Sequence, residues 1–488
     1  MDRQKPITRT LYIPIEIFYR ELGGALLLSS YAVSRGWQVV LGGKQAIFTN
    51  MSRFKKMPGV FFLKSIVPGE TYKQIEIAGF GHKIVSLDVE GLVPSNGESG
   101  VRLRYNKESI ALADLLFFWS RNHYNSVYRV YPEIKGKSVI SGSPIIDEIL
   151  IRKKDITKSK KGFKRPRILI GTSCAYANHI NGIDFAKRMT KDAYSSNLNN
   201  KESSELENEA LLDEKIFDYW KEVIPRIARE FKDCEIVLRP HPSENKKFWE
   251  SHVKSFKNVK INEAGSIIDK MLQSDIYIHF NSTSSITSIL LGIPTFMLLP
   301  ELDRKLLDRI TFVKNLSITA SSCDDLIMKI KESINNPDKN VLYKDISQYC
   351  ENLTSENYNS SKMIIDSLDR HFKFSNTQGV ILKRSFQEYL IVKLKKTKFF
   401  IFWVLGIMLS TFKVKTNKYF PPRNSYENAK AKQPTTNLKI IKEMLSNLIE
   451  GQTYNDIVLS QISQNLFIMS NRKINKLPHS KLRGIKHS

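Results

Sequence analysis

Three short polar clusters in this chain each follow an apolar run, and each could do chemistry. The first is Asn281-Ser282-Thr283-Ser284-Ser285, preceded by Tyr277-Ile278-His279-Phe280 and followed by an apolar helical pattern and the corner Gly292-Ile293-Pro294. A helix N-terminus has unpaired N–H groups and a partial positive charge, so it attracts phosphate or carboxylate. The hydroxyls add donors at the same place, although Ser and Thr are also ordinary helix caps. The second is Leu238-Arg239-Pro240-His241-Pro242. Two prolines stiffen this turn and present Arg239 and His241 at a strand's end. Arginine grips phosphate with paired N–H donors, and histidine can donate to phosphate or act as acid or base. The plainer reading is a rigid turn with an exposed imidazole. The third is Asp88-Val89-Glu90 after the apolar run 83–87. A carboxylate there could take a proton from an acceptor hydroxyl. The spacing is also that of a D-x-D metal site, and a solvated turn explains it equally well.

Two further stretches could line a site. Glu16, Arg20 and Glu21 fall at the first strand–helix turn, where a local ion pair competes with a binding role. Residues 171–179, including Asn178, form a loop of small and polar residues after another apolar run, open enough for a ligand to approach the backbone. The chain has no G-x-G-x-x-G, P-loop or G-x-S-x-G pattern and no His/Cys cluster at metal-ligand spacing.

The elements that must carry these groups alternate. Strand patterns at 10–17, 38–41, 61–63, 83–87, 115–118 and 139–141 are interleaved with helices, including one at 22–35. A polar, strongly basic stretch at 151–166 reads as a linker. Further strands at 167–171, 235–238, 259–261, 276–279 and 295–298 accompany helices near 209–232 and 323–334. This alternation predicts an α/β protein with two parallel sheets covered on both faces, with the ligand cleft at the carboxyl ends of the strands. The expected division is a Rossmann-like domain at 1–150, the linker 151–166 and a second Rossmann-like domain at 167–345. Helices that pack back on the body follow at 346–380, then a basic apolar segment at 381–420 and a small helical, loose tail at 421–488. Residues 192–208, polar and rich in Asn, Ser and Glu, read as a mobile insertion.

The chain of 488 residues carries a net charge of +26, unevenly placed. Residues 371–488 hold 21 Lys and Arg against 5 Asp and Glu. A basic tail on a nearly balanced body points to an anionic surface, either nucleic acid or phospholipid. Residues 399–412 decide for phospholipid. They form an apolar run of 14, between Lys393, Lys395, Lys396 and Lys398 on one side and Lys413, Lys415 and Lys418 on the other. That is short of the roughly 20 residues needed to span a bilayer and suits a helix lying in the interface. Segment 393–418 is therefore expected to contact an anionic membrane, and no nucleic-acid partner is expected. Four widely spaced cysteines and an N-terminus without an apolar signal core suggest a reducing, cytoplasmic location.

Taken in order, several elements resemble the bacterial surface carbohydrate biosynthesis proteins, and GT-B glycosyltransferases such as Kdo transferases and CDP-glycerol glycerophosphotransferases. They are Tyr12-Ile-Pro-Ile-Glu16 with Arg20-Glu21-Leu22, Leu87-Asp-Val-Glu-Gly91, Trp119-Ser120, Gly142-Ser-Pro144 with Asp147, residues 168–179, Arg239-Pro-His-Pro242, Glu263-Ala-Gly265 and the run from His279 to Pro294. The resemblance implies a GT-B-like fold with a basic helical tail. It also implies a glycosyltransferase of capsule, O-antigen or lipopolysaccharide assembly, working on a nucleotide-sugar and a glycan or lipid-linked acceptor. It makes His241 catalytic together with Asp88 or Glu90. Arg239, His279, Asn281, Ser282, Thr283, Ser284, Thr287 and Asn178 become donor contacts, and Glu16 and Arg20 acceptor-side contacts. It implies no bound metal and no cofactor beyond the donor, which could be CMP-linked. Two positions depart from the pattern. Thr287 and Gly23 stand where relatives often carry acidic residues, which leaves open a glycerophosphotransferase, a sugar-nucleotide epimerase or an inactive scaffold on the same fold.

Overall fold

A computed structural model describes residues 7–375 and 432–472, apart from 56, 92–96, 157–163, 195–199, 262–264, 304–305, 307–312, 336–359, 450–451 and 464. The segment expected at the membrane, 393–418, lies outside the described residues. Among the described residues no helix is long and apolar enough to cross a membrane.

The apolar runs become central strands because only a strand buried on both faces tolerates an uninterrupted hydrophobic sequence. The first sheet contains β1 (Thr10–Ile15), β2 (Gln38–Gly43), β3 (Val60–Leu63), β4 (Lys83–Leu87), β5 (Leu115–Phe118) and β6 (Ser138–Ile140). The second contains β7 (Arg167–Gly171), β8 (Glu235–Arg239), β9 (Val259–Ile261), β10 (Ile276–His279), β11 (Thr295–Leu298) and β12 (Ile318–Ala320). Its order is β12-β11-β10-β7-β8-β9, all parallel, so β7 is flanked by β8 and β10. The chain is thus two Rossmann-like α/β lobes in a GT-B-like arrangement.

The lobes meet along an apolar seam. Helix α1 (Phe18–Ser34) packs on α2 (Pro144–Arg152), which leads toward the second lobe. Ile268 of α3 (Ile267–Leu272) and Ile286, Ile289 and Leu290 of α4 (Ser284–Leu291) share one core with Leu22, Leu26, Ile146 and Ile149. Arg152 also reaches Asp269 across the seam at 2.9 Å.

Two expectations give way. Within 421–488 the described residues 432–472 form the expected small helix but also an unexpected hairpin. Helix α5 (Leu438–Leu448) packs on α1, and the hairpin of β13 (Ile457–Ser463) and β14 (Leu466–Asn471) extends the first sheet to the order β13-β14-β2-β1-β3-β4-β5-β6. Strand β14 runs antiparallel to β2, with Leu466 opposite Gly42 and Met469 opposite Val39. Hydrophobic side chains Leu466, Phe467 and Met469 fill that edge, and Asn465 turns the chain with a left-handed φ of 56°. The second correction concerns 192–208. From residue 200 onward it is the start of the helix Asn200–Glu230. Glu, Lys, Ala and Leu are strong helix formers, and they outweigh the polar look of the stretch.

Candidate functional site

Strand register brings the second-lobe candidates together. Gly171 at the end of β7 lies opposite Arg239 on one side and His279 on the other. The loops leaving β7, β8 and β10 therefore open at one edge of the sheet, the carboxyl edge where open α/β sheets bind ligands.

A buried carboxylate holds two of these loops in place. Glu244 is 1% exposed and accepts from the backbone N–H of His241 at 2.8 Å and of Cys174 at 2.9 Å. It also accepts from the Thr172 hydroxyl at 2.8 Å and the Trp249 indole at 2.8 Å. The 172–178 loop is further fixed by Asp213, which accepts from the N–H of Tyr176 and Ala177 at 3.0 and 2.7 Å.

His241 is consequently well oriented. Its Nδ1 accepts the Ser243 N–H at 3.2 Å, so in the neutral ring the proton sits on Nε2. Burial pushes the imidazole pKa down to about 3, helped by the charges of Lys432, Arg20, Arg239 and His179. Near neutral pH His241 is therefore a neutral N–H donor amid cations. It suits an anionic oxygen and is a poor base.

The hydroxyl loop has two layers. His279 is fully buried, with Nδ1 accepting from Ser282 N–H at 3.3 Å and Nε2 donating to Ser317 Oγ at 2.9 Å. It shapes the loop from beneath. Above it, Ser282 and Ser284 exchange a hydrogen bond of 2.7 Å, and Tyr277 Oη meets Ser284 at 2.5 Å. Arg239 lies close enough to Tyr277 for its charge to act on the phenol, which ties the arginine to this loop. Asn281 adopts a left-handed φ of 42°, and exposed Thr283 begins α4 without a side-chain cap. Thr287 is buried within α4.

The first lobe supplies more charge. Glu16 is held by Lys64 at 2.8 Å and Lys44 at 3.2 Å. Although burial alone would raise its pKa, these lysines bring it down to about 2. Arg20 reaches Glu90 at 3.3 Å and Glu21 at 3.4 Å. Lys432, carried back by the C-terminal segment, lies near Glu16, Lys64, Arg20 and Lys44, and burial lowers its pKa. The neighbouring Gln433 anchors that segment by donating to the carbonyls of Ile15 and Glu16 at 3.1 and 3.3 Å.

Three candidates have different roles from those expected. Asp88 is 3% exposed and gripped by Arg104 through both carboxylate oxygens, Nε to Oδ2 at 2.7 Å. Burial would raise its pKa, but Arg104 holds it below the usual carboxylate range. A carboxylate so occupied anchors the turn and is not free to act as a base. His279 cannot touch a donor because it is sealed beneath the loop. Asn178 is buried and turned toward Glu244 and the Asn245 carbonyl, at 3.5 and 3.4 Å. Glu90 stays half exposed between Arg20 and Arg104. Among the described residues no group of three His, Cys, Asp or Glu could hold a metal ion.

No family model and no curated protein matches the sequence. Solved structures resemble the fold. UDP-GlcNAc 2-epimerase from Neisseria meningitidis, bound to UDP-GlcNAc, aligns over 74% of this chain and 99% of its own at 12% identity, with a TM-score of 0.46. The wall teichoic acid polymerase TagF aligns over 76% and 90% at 10% identity, with a TM-score of 0.44. Anabaena HepE, in complex with UDP and glucose, aligns over 74% and 99% at 10% identity, with a TM-score of 0.42. These are likenesses of fold alone.

Proposed function

We propose that this chain is a glycosyltransferase that moves a sugar from a nucleotide-activated donor to a surface-glycan acceptor, such as a capsule or O-antigen precursor. One observation carries the reading. Arg239, the neutral N–H of His241 and the hydroxyls of Ser282 and Ser284 gather at the adjoining carboxyl ends of β8, β7 and β10, with Arg20 and Lys432 nearby. Such a set of donors and cations suits a phosphate group. Charge that develops on the leaving nucleotide would be met by groups already aimed at it, with little rearrangement during the reaction.

Within this reading Arg239, His241, Ser282, Thr283 and Ser284 hold the donor phosphates. Arg20, Glu16 and Glu90 lie on the acceptor side. Thr287 lies buried within α4, so no carboxylate is offered to a ribose diol from this position. The donor could therefore be CMP-, UDP- or CDP-linked. Segment 393–418 would hold the enzyme on the inner face of the cytoplasmic membrane, where lipid-linked acceptors reside.

Thermal shift of the purified chain against CMP-, UDP- and CDP-linked donors tests the reading. A transferase is stabilised by one nucleotide class and turns it over with an acceptor glycan. Stabilisation by CDP-glycerol with glycerol phosphate transfer would make it a phosphotransferase, and acceptor-free interconversion of the sugar would make it an epimerase. No response to any donor would make it a scaffold. Sedimentation with anionic vesicles tests the membrane assignment, and equal recovery after deletion of 393–418 would refute it.

A further inference from the structure

A cavity of about 370 Å³ lies between the lobes. Its wall includes Tyr19 and Gly23 of α1, Gly265 and Ser266 of the second lobe, and Met444 of α5. It adjoins the anion site, because Arg239 donates to the carbonyl of Gly265 at 3.2 Å. On the same wall stands Glu148 of α2.

Glu148 gets there through a gap in α1. A methyl group built on Gly23 would fall 2.0 Å from Glu148 Oε1 and 2.3 Å from Oε2, so the carboxylate rests on bare helix backbone. Gly24 allows the approach by letting α2 close in, since its own methyl would fall 2.9 Å from the Ile145 nitrogen. Any side chain at 23 would displace the carboxylate from the cavity.

The environment of Glu148 is unusual for an acid. The residue is 3% exposed, and the cation acting on it is Arg152, one turn further along the same helix. Arg152, on the same helix, gives its guanidinium to Asp269 at 2.9 Å and Asp155 at 3.4 Å. Glu21 is turned away to the N–H groups of Glu16 and Ile17. Burying a carboxylate whose neighbouring cation is already held by two other acids is costly, and the usual relief is to take up a proton. Burial pushes Glu148 up to about 7. Arg152 and the Gly24 N–H oppose the rise, and Asp269 adds to it. Glu443 of α5 and Asp269 are the other acids lining this cavity, and Arg152 lines it too. By contrast Asp88 and Glu90 are committed to arginines.

We propose that Glu148 is the acid–base residue of the transfer, presented to the acceptor hydroxyl through the gap left by Gly23. The assignment rests on the nucleotide-sugar reading above. Ionised Glu148 accepts the proton of the acceptor hydroxyl. The hydroxyl oxygen forms its bond to the anomeric carbon while the bond from that carbon to the donor phosphate oxygen breaks. The electron pair leaves on the phosphate, beside Arg239 and His241.

The test compares wild type, Glu148→Gln and Glu148→Asp, with Asp147→Asn as a control on the same helix whose carboxylate faces Ser360. The readouts are donor thermal shift, single-turnover rate and the pH–rate profile from pH 5 to 9. Glu148→Gln should bind donor like wild type, react about 10²- to 10³-fold more slowly and lose the rise in rate through neutral pH. Glu148→Asp should fall between, and Asp147→Asn should keep the wild-type profile. If Glu148→Gln stays within threefold of the wild-type rate with the same profile, the assignment to Glu148 fails while the nucleotide-sugar reading stands. If the wild type neither binds nor transfers any nucleotide-sugar, both fail.

Discussion

Replacing Glu244 by glutamine should separate loop stability from chemistry. The carboxylate takes four close donors: Cys174 N–H, His241 N–H and the Thr172 hydroxyl on one oxygen, and the Trp249 indole chiefly on the other. A glutamine that keeps its oxygen toward the backbone pair turns its amide N–H₂ toward the indole N–H. One buried donor then lacks an acceptor, at about 1–3 kcal/mol. Taking about 2 kcal/mol and a lobe of ordinary size, the unfolding transition should fall by roughly 6 °C. Glu244→Ala strands all four donors and should cost about 4 kcal/mol or more. Tryptophan fluorescence during thermal unfolding is a suitable assay, because Trp249 and Trp220 are both fully buried in this lobe and Trp220 donates to the Thr172 carbonyl at 3.2 Å. Glu244→Gln should keep most of its donor affinity, since His241 N–H retains its acceptor, whereas Glu244→Ala should lose it. An unchanged transition in Glu244→Ala would refute the view that this carboxylate ties the loops together.

Other perturbations probe neighbouring groups. His241→Ala should lower single-turnover transfer by about 10²- to 10³-fold with an unchanged circular dichroism spectrum, and a wild-type rate would remove His241 from the mechanism. Lys432→Ala should weaken donor binding about tenfold in calorimetric titration, near 1.4 kcal/mol for one charge-assisted contact; equal affinity would place Lys432 outside the site. Burial raises Asp147 from 3.8 to about 6, with Ser360 and Ser361 opposing the rise. Its folded pKa exceeds its unfolded one, so its contribution is full below about pH 4 and is lost as pH rises through about 6, by up to about 3 kcal/mol. Asp147→Asn should therefore melt higher than wild type at pH 7.5, and the gap should shrink toward pH 4. A constant gap would show that Asp147 is not the titrating group.

The parallel strands were legible because a strand buried on both faces leaves an unbroken apolar run, as in Ile276–His279 and Thr295–Leu298. That the loops after β8 and β10 open at one edge of the sheet was legible too, since both follow such runs and flank β7. What remained hidden depends on partners distant in sequence. Asp88 looks like an open strand-end acid until Arg104, on the helix Gly97–Arg104, closes over it. His279 reads as part of a polar loop, yet it is the last residue of a central strand, and Ser317 seals it from below. Glu148 sits in an ordinary amphipathic helix, and only the packing of α2 on Gly23 turns it toward the cavity. Glu244 carries a weak local sign, an acid three residues beyond His241 in a proline-stiffened turn. Lys432 adjoins a Pro- and Asn-rich stretch whose composition gives no hint that it returns to the first lobe.

That return has a cost in biogenesis. Strand β2 is made early, but its outer neighbour β14 emerges only several hundred residues later. Until then the nascent first lobe carries a bare row of backbone donors and acceptors along Gln38–Gly43, a template for pairing with other chains. The ribosome-bound lobe must be shielded, or must wait, before its sheet can be completed, and the late pairing sets a slow, long-range step in folding. Shortened versions that stop before the hairpin would inherit that sticky edge permanently.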